Sequence, residues 1–224
     1  MSQRVAVITG ASRGIGKAAA RALRRRGFAT VELSSKSCDV RSEAAVKKAF
    51  ASALKRHKRI DVLINCAGIV TFSSGLKVSK KEWDNVMATN LIGAYNCSKN
   101  ALPIMARQKF GRIINVSSIA GRLYSRGASL AYTCSKYAVI GLTRQLAAEF
   151  GGQGVTVNCV APSQTKTDMI LGNFKPAEIK RMAKSNPLGR LAEPEEVANV
   201  IAFLAGDESS YVNGAVIDIN GGLL

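Results

Sequence analysis

Short apolar runs rich in β-branched residues alternate with stretches at helical spacing from one end of this chain to the other, and few folds accommodate that pattern. The runs are Arg4–Thr9, Thr30–Leu33, Val62–Asn65, Gly111–Val116, Thr156–Ala161 and Ala215–Ile219. Between them, a stretch such as Ala44–Lys55 sets Ala45, Val46, Ala49, Phe50 and Ala53 on one side of a helix. Strands this continuously apolar need cover on both faces, which predicts an α/β domain with a doubly wound parallel sheet. No linker, internal repeat or low-complexity segment divides residues 1–224, and that length suits a single core.

One step in the alternation is too short. Only Ser34-Ser35-Lys36-Ser37-Cys38 separates the strand ending near Leu33 from Asp39. A parallel neighbour needs a crossover of about a dozen residues or more. The sheet is therefore expected to lack one strand-helix unit after its second strand.

Composition narrows the function classes. No apolar run is long enough to span a bilayer. The start, Met1-Ser2-Gln3-Arg4 before Val5-Ala6-Val7-Ile8, lacks the pattern of a signal peptide, so a cytoplasmic location is expected. The five cysteines (38, 66, 97, 134 and 159) form no CxxC pair, which argues for reduced thiols and against a zinc site. The single histidine, His57, lies in Lys55-Arg56-His57-Lys58-Arg59, a poor setting for a Ser-His-Asp hydrolase. Of the net charge of +17, residues 1–60 carry +12, fifteen Lys and Arg against Glu32, Asp39 and Glu43. Solvated helix faces account for such a surplus, with Arg24-Arg25-Arg26 complementing a helix C-terminus. The same field would draw in a dinucleotide or an acidic carrier. No nucleic-acid recognition motif accompanies it.

The first apolar run leads into Gly10-Ala11-Ser12-Arg13-Gly14-Ile15-Gly16, and a helical pattern follows to about Arg25. Glycines there let the backbone turn tightly and approach a pyrophosphate, while the helix N-terminus favours the anion. The spacing is GxxxGxG, not GxGxxG; strand before and helix after give it weight.

With that turn, written Thr9-Gly10-Ala11-Ser12-Arg13-Gly14-Ile15-Gly16, the chain resembles the short-chain dehydrogenase/reductase family, whose glycine motif is TGxxxGxG. The resemblance runs almost the whole length. Asn65-Cys66-Ala67-Gly68 looks like the family's NNAG segment with cysteine for the second asparagine, and Asn90 matches its helix asparagine. Ser118 follows a strand, Tyr132-Thr133-Cys134-Ser135-Lys136 matches YxxxK, and Ala161–Thr167 resembles the PG segment with Ser163 for its glycine. Asn186–Ala205 and Asn213–Gly222 resemble bacterial 3-oxoacyl-(acyl-carrier-protein) reductases. YxxxK also occurs at Tyr95-Asn96-Cys97-Ser98-Lys99, but only Tyr132 stands fourteen residues after a serine closing a buried strand. Tyr95 is read as packing or interface.

The resemblance implies a Rossmann-type fold, a nicotinamide cofactor and a catalytic set of Asn90, Ser118, Tyr132 and Lys136. Carbonyl reduction leaves an alkoxide that needs a proton. An unperturbed phenol, with a pKa of about 10, is a poor base near neutrality, and an ammonium one helical turn away favours its phenolate form. Ser118 is the implied hydrogen-bond donor to the substrate oxygen, and Lys136's counterpart also binds the nicotinamide ribose. Asn90's counterpart holds a relay water. The implied cofactor residues are Gly10, Ser12, Arg13, Gly14, Ile15, Gly16, Ser34, Ser35, Lys36, Asp39, Val40, Asn65, Ala67, Gly68, Tyr132, Lys136, Pro162, Thr165 and Thr167. Asp39-Val40 resembles the family's adenine-side pair; Asp39 read by itself could equally cap the following helix.

Family members that use NAD place an aspartate where this chain has Ser34. With Ser35 and Lys36 following and Arg13 nearby, NADP(H) is expected over NAD(H). The expected substrate is a 3-oxoacyl thioester on acyl carrier protein, with Arg107, Lys109 and Arg112 near the start of the Ser118 strand and the first two expected at the active-site mouth. Gly151-Gly152-Gln153-Gly154 lacks the basic residue that carrier reductases often have there. Acyl-CoA, sugars and other alcohols remain alternatives inside the class; a non-catalytic NADP-sensing or nucleic-acid-binding protein is the alternative outside it. The resemblance also implies a homotetramer and no membrane partner.

Overall fold

The computed structural model describes residues 3–125 and 127–224; Met1 and Ser2, part of the start read above as leaderless, lie outside them. The described elements run β1 (Val5–Thr9), α1 (Gly14–Arg25), β2 (Ala29–Leu33), α2 (Glu43–His57), β3 (Val62–Asn65), α3 (Lys80–Met87), a π turn (Ala88–Ile92), α4 (Gly93–Gln108), β4 (Gly111–Val116), α5 (Leu130–Phe150), β5 (Val155–Pro162), α6 (Asp168–Leu171), α7 (Pro176–Ser185), α8 (Pro194–Leu204) and β6 (Val216–Ile219).

All strand pairs are parallel, in the order β2-β1-β3-β4-β5-β6. β2 is an edge strand, and the chain passes from it through α2 straight to β3 on the far side of β1. The missing strand-helix unit is thus a property of the fold. The reversal of strand order places a switch point between β1 and β3, where open α/β sheets hold their ligands, beyond the C-terminal strand ends.

The two apolar layers follow from strand periodicity. Ala6, Ile8, Ile64, Ile114 and Val160 face α1 and α8. Val7, Leu63, Ile113 and Val157 face the other way, toward Phe50 of α2, Met105 of α4 and Leu146 of α5. α2 buries the face expected from its spacing, with Val46, Phe50 and Ala53 inside. Its start is set by Ser42, whose Oγ accepts a hydrogen bond from the Ala45 amide at 3.2 Å. Asp39 therefore does not cap this helix.

Parallel strand direction also settles where the basic residues preceding β4 sit. Arg107 and Lys109 precede Gly111, the N-terminal end of that strand, whereas Ser118 follows its C-terminal end. Six residues of strand rise roughly 20 Å at ~3.3 Å each, so these cations lie at the opposite edge of the sheet from the expected active-site mouth.

Candidate active site

Thr9, the last residue of β1, and the turn after β3 meet at the switch point. Thr9 Oγ1 accepts hydrogen bonds from the Cys66 and Ala67 amides, each at 3.1 Å. Gly10 has φ +67°, and a Cβ there would lie 2.9 Å from Ala67 Cα; a Cβ on Gly16 would lie 2.3 Å from the Gly10 carbonyl oxygen. Only glycine permits this approach of three backbone segments. α1 then begins at Gly14; Arg13 before it makes no side-chain capping bond, and there is no acid in the first turn, although the Gly16 amide is taken by the Cys66 side chain. The remaining donors and the helix dipole suit a pyrophosphate, so the residues present fit a dinucleotide.

The catalytic side is built by β4 and α5. Ser117 Oγ donates to the Lys136 carbonyl at 2.8 Å, and a Cβ on Gly121 would lie 2.6 Å from that same Oγ. This close packing sets the strand end against the helix. Ser118, partly buried, caps the short turn Ile119–Gly121 through its Oγ, which accepts from the Ala120 amide at 3.2 Å. Ser129 caps α5 by accepting from the Tyr132 amide at 3.2 Å, so Tyr132 stands in the first turn with Lys136 one turn on. Buried Lys136 donates from Nζ to the Val116 carbonyl at 2.9 Å. Its Nζ lies 5.6 Å from the Tyr132 ring centroid.

A cleft of about 1240 Å³ joins these parts. Of the residues expected at the site, Gly10, Ser12, Arg13, Gly14, Ile15, Gly16, Ser34, Ser35, Asp39, Val40, Ala67, Gly68, Ser118, Tyr132, Lys136, Pro162, Thr165 and Thr167 line it. Thr167 covers the glycine turn, its Cγ2 being 3.1 Å from where a Cβ of Gly14 would stand.

Lys36, Asn65 and Asn90 do not line the cleft. Lys36 is exposed on the turn after β2. Asn65 is buried, its amide donating to Asn115 Oδ1 at 2.8 Å and Ser98 Oγ at 3.1 Å. Asn90 sits in the π turn and holds the Ile69 peptide by both groups, accepting from its N–H at 2.8 Å and donating to its carbonyl at 3.0 Å. Its amide also donates to Ser135 Oγ at 3.0 Å. Both asparagines support the cleft wall from behind.

Asp39 pairs with Arg41, two residues on in the chain. Its carboxylate accepts from Arg41 Nε at 3.0 Å and from the terminal nitrogen at 2.8 Å, while Arg41 also donates to Asn85 Oδ1 at 2.8 Å. This guanidinium holds the Asp39 carboxyl below the usual carboxylate range. Arg41 and Asn85 both line the cleft. The Asp-x-Arg spacing was the available signal.

The lining also includes the apolar side chains Phe72, Leu123, Met169, Ile170, Phe174 and Met182, interspersed with Asp168, Glu178, Arg181 and Ser185. Phe72 and Phe174 meet edge to face, ring centroids 5.3 Å apart at 87°. Glu178 and Arg181, both on α7, bring opposite charges to the lining. No sequence signal joined residues so far apart in the chain.

The remaining expectations concern chemistry. All five cysteines are free. Burial pushes the Cys66 thiol up to about 11 and that of Cys97 to about 12, which keeps both protonated. Among the described residues no cluster of His, Cys, Asp and Glu could hold a metal ion, and no helix is long and apolar enough to cross a membrane. Tyr95 is 44% exposed on α4 and does not line the cleft.

The family described as enoyl-(acyl carrier protein) reductase matches residues 29–224. The short-chain reductase protein NovJ of Streptomyces niveus is 38% identical over 97% of this chain and 93% of its own. The 3-oxoacyl-(acyl-carrier-protein) reductase FabG of Thermotoga maritima is 37% identical over 99% of this chain and 98% of its own. That match runs over 243 residues although this chain has 224, so the relative carries residues this chain lacks. Among solved structures, the aldohexose dehydrogenase of Thermoplasma acidophilum superposes with a TM-score of 0.89 at 31% identity, over 99% of this chain and 94% of that one.

Proposed function

The chain belongs to the short-chain dehydrogenase/reductase family of oxidoreductases, and from that premise we propose that it reduces a 3-oxoacyl thioester, carried on acyl carrier protein, to the 3-hydroxyacyl thioester with NADPH. One observation carries the reading. Ser118, Tyr132 and Lys136 line the same cleft as the glycine-rich start of α1, and Phe72, Phe174, Met169 and Met182 line it too. These apolar side chains favour an acyl chain over a polyhydroxylated substrate.

A bound nicotinamide cofactor supplies the hydride. The glycine turn and the start of α1 would hold its pyrophosphate, and Arg13 would supply positive charge on the adenine side, Arg41 being paired with Asp39. Ser118 Oγ hydrogen-bonds the substrate oxygen and steadies the charge that develops there. Tyr132 Oη donates its proton to that oxygen, and the Lys136 ammonium favours the phenolate left behind. Asn90 is a positioning residue, fixing the Ile69 peptide and Ser135 behind the Lys136 helix face. The protein is proposed to work as a cytoplasmic homotetramer.

The second reading is a dehydrogenase of sugars or small alcohols. The likeness to an aldohexose dehydrogenase favours it. A turnover screen of 3-oxoacyl thioesters on carrier protein and on coenzyme A, alongside aldohexoses, each with NADPH/NADP and NADH/NAD, separates the two. Turnover of aldohexoses with none of any thioester overturns the first reading.

A further inference from the structure

The sheet ends at β2, whose inner rim is spent on β1. The Ala29 N–H donates to the Arg4 carbonyl at 2.8 Å, and the Leu33 carbonyl accepts from the Ala11 N–H at 3.1 Å. Alternation along a parallel pair gives Val31 to the same ladder. The backbone N–H and C=O of Thr30 and Glu32 therefore point outward, and no described residue bonds them there. Ala29, Thr30 and Val31 are partly exposed and Glu32 is exposed. β2 has neither proline nor lysine to blunt it, and such an edge is a template for another strand.

Charge decides what kind of strand fits. Arg24 of α1 pairs with Glu32 and donates to Thr30 Oγ1 at 3.1 Å, so the side chains of Thr30 and Glu32 face α1. Arg21 and Lys17 precede Arg24 at helical spacing and share its face of α1. From Lys17 to Arg24 the helix rises about 10 Å, the reach of roughly three strand residues, so this row borders the outer rim. Lys17 and Arg21 are exposed and make no ion pair with a described residue. Glu32, the acid of β2, is thus already matched, while the cations beside the rim are not.

We infer that the β2 edge takes up an extended acidic segment of a partner protein as an added strand. The outward N–H and C=O groups of Thr30 and Glu32 bond its backbone. Its side chains alternate between faces: acidic ones turn to Arg21 and Lys17, and apolar ones lie beside the partly buried Val31 on the other face. A second copy of this chain fits worse, because it would bring two unpaired cationic rows together. None of Lys17, Arg21, Thr30 and Glu32 lines the cleft, so docking leaves the residues of the reaction untouched.

A short blocked peptide alternating glutamate and valine, carrying a fluorophore, is titrated onto the full-length protein by anisotropy. It should bind, and more weakly as salt rises. The same peptide with N-methylated amides keeps its charge but cannot join a sheet, and its affinity should be lower by about tenfold or more. Thr30→Pro removes an outward N–H without touching the β1 ladder and should raise Kd for the plain peptide by about tenfold. Arg21→Glu should raise it too. Hydrogen exchange at the Thr30 and Glu32 amides of the wild type should slow when the plain peptide is present, which decides the matter even if Thr30→Pro fails to fold. Equal binding of the N-methylated peptide, or unchanged exchange at those amides, overturns the inference. So does a wild-type mass that climbs beyond the tetramer in high salt and falls back in Thr30→Pro, which would give the edge to a second copy.

Discussion

Lys136 Nζ stands 5.6 Å from the centre of the Tyr132 ring, held there by its hydrogen bond to the Val116 carbonyl at 2.9 Å. The tether belongs to the end of β4, the strand that delivers Ser118. One strand end thus positions both Ser118 and the Lys136 ammonium. Tyr132→Phe removes the proton and leaves the tether intact. Its kcat/KM for carbonyl reduction should fall by roughly 10²–10⁴-fold, with NADPH affinity near wild type by fluorescence titration. Tyr95→Phe, in the second YxxxK, should keep full activity. The reverse pattern would place the chemistry on α4.

NADPH should bind more tightly than NADH. Arg13 lines the cleft and Lys36 does not, so Arg13→Ala should weaken NADPH by about tenfold, the low end for a charge-assisted hydrogen bond made by an exposed group. Lys36→Ala should change it far less. Titration of both cofactors against both variants decides, and tighter NADH binding by the wild type would refute the preference.

If an acidic carrier presents the substrate, its reduction should weaken with salt as the Debye length falls from about 10 Å at 0.1 M to about 3 Å at 1 M. A neutral pantetheine mimic should respond much less, after correction for salt effects on NADPH. Arg181 of α7 lines the cleft, so Arg181→Glu should raise KM for the carrier-bound thioester several-fold and leave kcat for the mimic unchanged. Equal salt sensitivity of both substrates would assign the surplus charge to the cofactor or to solubility.

Ile92, Tyr95, Leu130 and Tyr137 expose apolar surface around α4 and α5. A homotetramer covering these helices should be sensitive to charge there, and Tyr137→Glu should lower the mass measured by light scattering. A wild-type mass of 23.8 kDa, that of one chain, would contradict the assembly.

Glu196 closes the first turn of α8. It bonds Arg190 at 2.6 Å and accepts the Glu193 amide at 2.8 Å, and Arg190, then that amide, hold its pKa down to about 2. A carboxyl depressed in the folded state contributes stability above its unfolded value, near 4.5, and loses it as pH falls through the folded one. Glu196→Gln should therefore melt slightly lower than wild type at pH 7, by a small amount because the pair is exposed. The gap should close between about pH 4.5 and 2. A gap that widened with acid would reverse the sign of this linkage.

Much of this was legible in the amino-acid order. Strand periodicity located β3 and β4 to the residue, and the five residues between Leu33 and Asp39 were too few for a crossover, which decided that a strand-helix unit was absent. The glycine turn and the Ser118, Tyr132 and Lys136 spacing were equally readable, because each depends on neighbours within a turn or at a strand end. Tertiary structure decided what depends on direction and distance in space. Arg107 and Lys109 stand close to β4 in sequence but at its far end in space, because a parallel strand carries its start and its finish to opposite edges of the sheet. Asp39 lost its capping role to Ser42 and gained Arg41, a choice made by where the chain turns toward α2. Phe72 met Phe174, and Arg112 came to lie beside Thr156, only when strands and loops distant in sequence packed together; no local pattern encodes which buried donors are left without a partner.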